Sequence, residues 1–257
     1  MRRSAILLLV AATLAAPRPV SAAKEAPGTP RDTARVHLGP ADGGTDAFVA
    51  LPPGNKEAPS VIVIFEWWGL NAQIRGVAKD LAMQGYVAIV PDLYHGKVAS
   101  DPENAHILVR GLDEEAAMGD LDAAVTWLRA QPRTAKTKIG IVGFCMGGRI
   151  SQLFALHGPA VSAAIMFYGS PELNPERLAT LKAPLQGHFG AADQGIEPDR
   201  VEKLKAALDS AGKTNEIYTY AGAGHAFMNQ TRPSFSPDAA RLAWARTLAF
   251  FQKYLKG

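Results

Sequence analysis

A mostly parallel central sheet with helices on both faces is the architecture the sequence predicts, an α/β class, on three observations. Short runs rich in β-branched residues recur along the chain, and helical patterns with one apolar stripe lie between them. The runs are apolar throughout rather than alternating, which marks strands buried on both faces. Strand–helix alternation at this spacing demands parallel pairing through right-handed crossovers. The 257 residues suit a single domain able to bury a large core. Apolar residues make up 47% and charged residues 20% of the chain, which excludes a disordered polypeptide.

The elements follow in order. "ARVHLG" (34–39) and "DAFVALP" (46–52) pair as an N-terminal hairpin. "SVIVIF" (60–65), "GYVAIVPDLY" (85–94) and "KIGIVGF" (138–144) are strands by their β-branched content. So are "VSAAIMFYG" (161–169), "APLQGHFGAAD" (183–193) and "NEIYTYAGAGH" (215–225). Helices are expected over 73–84, where Ile74, Val77, Ala78 and Leu81 share a face, and over 116–128, with Leu121, Ala124, Val125 and Leu128. Pro198 opens a helix striped by Val201, Leu204, Leu208 and Ala211. Ala240, Trp244, Leu248, Phe251 and Leu255 stripe the last one.

The N-terminus has the three parts of a secretory signal: Arg2 and Arg3, an apolar run from Ala5 to Ala16, and the small-residue stretch Val20-Ser21-Ala22-Ala23. The run is too short to span a bilayer. Residues 1–22 are therefore expected to be a signal peptide cleaved after Ala22 or Ala23. A flexible segment over 23–34 and a single domain over 35–257 follow. Export to the periplasm, no stable membrane association after cleavage and a monomeric state are expected. The formal charge of +3 belongs to this segment, which carries Arg2, Arg3 and Arg18 and no acid. The rest of the chain is balanced and has no block of five like charges, which argues against nucleic-acid or anionic-membrane binding.

Ligands in open α/β sheets bind beyond the carboxyl ends of the strands. The residues there are Glu66, Tyr94, Cys145, Asp193 and His225. Cys145 is the only cysteine, so it has no disulfide partner within the chain. It sits in "GFCMGG", a Gly-x-nucleophile-x-Gly pattern between a strand and a helix. Glycines let the backbone turn sharply around residue 145 and lift its side chain above the sheet. The same turn aims the Met146 N–H at an oxyanion, and the helix start favours negative charge. A buried structural cysteine is the plainer explanation of this motif alone. An acid and then a histidine should follow such a nucleophile, and Asp193 and His225 do so, each at the end of a strand. His225 would take the thiol proton and Asp193 would orient the imidazole. A surface histidine and a turn aspartate are the plainer readings, with Asp199 an alternative acid. HExxH, paired His/Cys spacings and the Walker lysine are missing from the sequence, so no metal and no cofactor is expected.

"FEWWGLNAQIRGVAKDLAMQGYVAIVPDLY", "GDLDAAVTWLR", "IGIVGFCMGG" and "YAGAGHAF" together resemble the dienelactone hydrolases (carboxymethylenebutenolidases) of the α/β-hydrolase fold. The resemblance runs from about Asp46 to Leu255. It implies a Cys145–His225–Asp193 triad with a covalent acyl-enzyme. It also implies that Glu66 holds the resting thiol and helps deprotonate it, and that the Trp67 and Met146 N–H groups are oxyanion donors. The family members that hydrolyse an anionic dienelactone grip its carboxylate with two arginines, where this chain has Asn229 and the stretch "PENAH" (102–106). Trp68, Tyr94, Phe227 and Asn229 are the expected substrate-binding residues. A neutral ester or lactone with an aromatic or short acyl part suits such a mouth. Another acyl hydrolase on this fold, a thioesterase or peptidase, stays open, as does a binding protein with a degenerate site.

Overall fold

The computed structural model describes residues 33–158 and 160–257. The expected signal peptide and residues 23–32 of the expected flexible segment lie outside them. Eight strands form one sheet: β1 (Thr33–Leu38), β2 (Thr45–Ala50), β3 (Ala58–Ile64), β4 (Val87–Pro91), β5 (Thr134–Phe144), β6 (Ala163–Phe167), β7 (Leu185–Gly190) and β8 (Asn215–Tyr220). Their spatial order is β1-β2-β4-β3-β5-β6-β7-β8. The β1–β2 and β2–β4 pairs are antiparallel and all others parallel. β1 begins at Thr33, inside the segment expected to be flexible, because it pairs along its whole length with β2.

Among the described residues seven helices flank the sheet, the last of them after β8: α1 (Ala72–Met83), α2 (Pro102–Arg110), α3 (Glu114–Ala130), α4 (Met146–His157), α5 (Pro175–Ala179), α6 (Pro198–Ser210) and α7 (Pro237–Phe251). A π-helical turn over Gln252–Lys256 follows α7. Side-chain caps start several of them: Asn71 accepts from Ile74 N, Asp101 from Asn104 N and Asp113 from Ala116 N. Helices α2 and α5 carry no long apolar stripe; Ala105 and Leu178 are their only buried residues, and the periodicity did not reveal them.

The core follows the sheet. Every residue of β4, β6 and β7 is buried, as the unbroken apolar runs required. The strands of the β3–β5–β6–β7 group run parallel, so their carboxyl ends share one edge. Cys145 follows β5 directly and opens α4 there. Two backbones meet closely at this point. A Cβ on Gly143 would lie 1.8 Å from the Gly147 carbonyl oxygen, and one on Gly147 would lie 2.5 Å from that of Phe65. Both neighbours are backbone and cannot move aside. Gly143→Ala is expected to lower the unfolding free energy by about 2–4 kcal/mol, measured by urea denaturation.

Candidate active site

The turn after β5 places Cys145 at φ 54° and ψ −116°, a region rarely occupied by side-chain-bearing residues. Its N–H donates to the Phe167 carbonyl of β6 at 3.0 Å, and its carbonyl accepts from Gly148 and Arg149 in the first turn of α4. Among the described residues only His95, Cys145, Tyr168 and Ala226 combine a side chain with positive φ. Three of these four surround one point, which is where strained backbone usually carries function.

That point is the Cys145 sulfur. His225 Nε2 lies 3.1 Å from it, and His225 Nδ1 donates to Asp193 Oδ2 at 2.8 Å. The Asp193 side chain is fully buried, whereas the imidazole is 40% exposed. The second Asp193 oxygen accepts from the N–H groups of Gly195 and Ile196 at 2.8 and 3.0 Å. Burial alone would raise the Asp193 pKa, but the imidazole and these N–H groups hold it below its usual value. Burial likewise works against charge on His225. Asp193 and the cysteine sulfur overcome it and push the imidazole up to about 10.

Glu66, two residues beyond β3, is buried beside this triad. Its Oε2 accepts from Asn229 Nδ2 at 2.6 Å and its Oε1 from the Tyr168 hydroxyl at 3.0 Å. The Asn229 amide is oriented by Thr231, whose N–H and hydroxyl both donate to Asn229 Oδ1. Burial raises the Glu66 pKa despite these two donors. The thiol's hydrogen-bond partner is the imidazole, whereas the family resemblance implied that Glu66 holds the thiol. Met146 is the first residue of α4, so its N–H has no intrahelical acceptor. Trp67 N–H has no hydrogen-bond acceptor among the described residues. Both donors are free beside the sulfur's turn.

Two cavities border Cys145, of about 680 and 330 Å³, and both are also lined by Trp67 and His225. Trp68 lines the larger one with Arg232, whose guanidinium carbon stands 3.5 Å over the indole ring. Arg232 Nε is buried there without a partner among the described residues. The cavity wall thus carries a cation that the expected apolar mouth did not include.

Three expected substrate-binding residues do not reach the cavities. Phe227 is fully buried and packs against Phe167, Tyr168 and Tyr220. Asn229 is spent on Glu66. Tyr94 is buried against Phe65, and its hydroxyl meets the Met146 sulfur at 3.1 Å. Tyr168 and Thr231 were missed. Tyr168 directly follows β6 within the run "VSAAIMFYG" and could have been found as another strand-end residue, but nothing in the sequence signals the bonds Thr231 makes to Asn229.

The sheet order, the strained turn and the residues gathered at its edge define an α/β-hydrolase that acts on lactone or ester bonds. The model of the dienelactone hydrolase family matches residues 45–255, and the chain belongs to that family. A protein assigned as a carboxymethylenebutenolidase in Methylorubrum extorquens is 37% identical over 83% of this chain and 78% of its own. One from Salmonella typhimurium is 35% identical over 81% and 82%. The crystal structure of a protein assigned as a dienelactone hydrolase from Klebsiella pneumoniae superposes with a TM-score of 0.80 at 32% identity, over 87% of this chain and 99% of that one.

The elevated His225 pKa has a thermodynamic consequence. A folded-state value above the ordinary 6.5 means that the imidazolium stabilises the fold fully below about pH 6.5. That contribution is lost as pH rises toward 10. The thermal midpoint should therefore fall between pH 7 and 10 in the wild type and fall less in His225→Gln.

Proposed function

We propose that this protein is an exported hydrolase of carboxylic esters or lactones that works through a Cys145–His225–Asp193 triad and a covalent acyl-enzyme. The observation that carries the reading is the unbroken line from Asp193 Oδ2 through the imidazole to the Cys145 sulfur. His225 Nε2 holds the proton that the thiol gives up, as its raised pKa favours, and the sulfur forms a bond to the substrate carbonyl carbon. The Trp67 and Met146 N–H groups receive the oxyanion. As the tetrahedral intermediate collapses, the carbon–oxygen bond to the leaving alcohol breaks and His225 returns its proton to that oxygen. Water, deprotonated by His225, then attacks the thioester. The carbon–sulfur bond breaks and the thiol regains its proton.

Asp193 keeps Nε2 directed at the sulfur and balances the imidazolium charge. Glu66, a buried carboxylate with neutral donors, adds negative potential close to His225. Trp68 offers the substrate an aromatic face, and Arg232 in the same wall tolerates an anionic substituent. Export rests on the signal-like residues 1–22 and predicts a mature N-terminus at Ala23 or Lys24, checked by N-terminal sequencing of the periplasmic protein.

Cys145→Ala should lose ester and lactone turnover by at least about 10³-fold, and the wild type quenched during turnover should show an acyl mass on Cys145. Turnover by the alanine variant at the wild-type rate would remove the covalent route. Asp193→Asn should retain binding but lower kcat by about 10²-fold or more.

A further inference from the structure

The two cavities at Cys145 are distinct in lining and size, and they meet only at Trp67, Cys145 and His225. The smaller lobe is walled by Val109, Leu112, Met146, Ile150 and Ile196, with Tyr168 and Ser170 beside them. Its rim is closed by the Arg149–Glu114 ion pair at 2.8 Å, which ties α4 to α3. The larger lobe is walled by Trp68, Ala226, Arg232, Pro233 and Ser234, so it mixes aromatic, cationic and hydroxyl surface. Trp67, which borders both, is fixed by edge contacts to Trp68 and His106 at 5.0 and 4.7 Å between ring centres.

Nucleophile, imidazole and both free N–H groups thus stand at the waist of a two-lobed cleft. A scissile carbonyl at that waist sends one substituent into each lobe. The orientation follows from the proton path. The leaving oxygen must face His225, which borders both lobes, but the chain that follows it (Ala226, then Arg232–Ser234) walls only the larger one, and the alcohol arm is assigned there. The carbonyl carbon bonded to sulfur keeps its acyl group beside α4, where Met146 and Ile150 wall the smaller lobe. A compact ring-closed lactone occupies the waist and leaves one lobe unfilled. Burial of an aliphatic arm in the smaller lobe adds binding in proportion to its apolar area.

We infer that the preferred substrate is an open-chain ester with two arms, a linear aliphatic acyl group in the Leu112 lobe and a bulkier aromatic alcohol in the Trp68 lobe. This rests on the hydrolase reading above and adds to it the shape and polarity of the substrate.

The test measures kcat/KM on two series. Phenyl acetate, butyrate and hexanoate vary the acyl arm; phenyl and 2-naphthyl butyrate vary the alcohol arm with similar leaving groups. The wild type should favour hexanoate over acetate and naphthyl over phenyl. Leu112→Trp, which fills the smaller lobe, should lower the hexanoate-to-acetate ratio by about tenfold and leave the naphthyl-to-phenyl ratio within about twofold. Ser234→Trp, at the larger lobe, should do the reverse. Because each readout is a ratio within one protein, partial misfolding cancels. Equal effects on both ratios, a swapped pattern, or a wild type that prefers acetate overturns the two-arm assignment while the hydrolase reading stands. If Cys145→Ala hydrolyses both series at the wild-type rate, the site reading itself fails and the assignment falls with it.

Discussion

The conformation of one residue organises the site. Cys145 at φ 54° lies where a side chain costs about 1–3 kcal/mol, and the surrounding backbone must over-determine it. Gly143 and Gly147 permit this by letting the end of β5 and the start of α4 touch, and the Cys145 N–H is pinned to β6. The turn cannot relax without separating a buried strand from a buried helix. Strain is therefore stored locally and offset by sheet packing, which is strongest where the parallel strands are covered on both faces. Tyr168, the residue after β6, inherits the same constraint and also has positive φ.

Two carboxylates flank the imidazole, and their surroundings push them in opposite directions. Asp193 receives two backbone N–H groups and the His225 ring, and it stays ionised below its usual range. Glu66 receives only a tyrosine hydroxyl and an amide, and burial lifts it. A group that stays charged suits the partner of a cation, and one that is easily neutralised suits a supporting role. Both sit on loops at strand ends, yet one loop supplies main-chain donors and the other does not. That difference adds to the imidazole's own hydrogen bond to Asp193 in setting the two carboxylates apart.

Much of this was legible in the sequence because its physics is local. Continuous β-branched runs disclosed the buried strands, and the strand-end positions of Cys145, Asp193 and His225 disclosed three side chains that the fold brings into contact. The elbow glycines could be read because a tight turn has few sequence solutions. What escaped was set by contacts between distant segments. Phe227 stands two positions after His225, and proximity in sequence suggested the pocket, but the loop turns its ring down onto Phe167 and Tyr220. Arg232 is seven positions beyond His225 and reaches the cavity only because Trp68, from another loop, offers a face on which to stack. Helices α2 and α5 had too little buried surface to leave a periodic trace.

Asn229 shows how one such distant contact changes the chemistry. Its amide has two ends, and Thr231 occupies the oxygen end with two donors. The nitrogen end must then face Glu66, where it meets a carboxylate already bonded to Tyr168. Both Glu66 oxygens are engaged before the thiol is considered. Moving the carboxylate toward Cys145 would strand a buried amide and a buried hydroxyl, at about 1–3 kcal/mol each. The sulfur is left to the imidazole 3.1 Å away, and its reactivity is governed by the pair that Asp193 anchors. A cation at position 229 would hold Glu66 by charge as well as by hydrogen bonds and would favour its ionised form. A neutral amide holds it by geometry alone, which leaves the raised pKa in place.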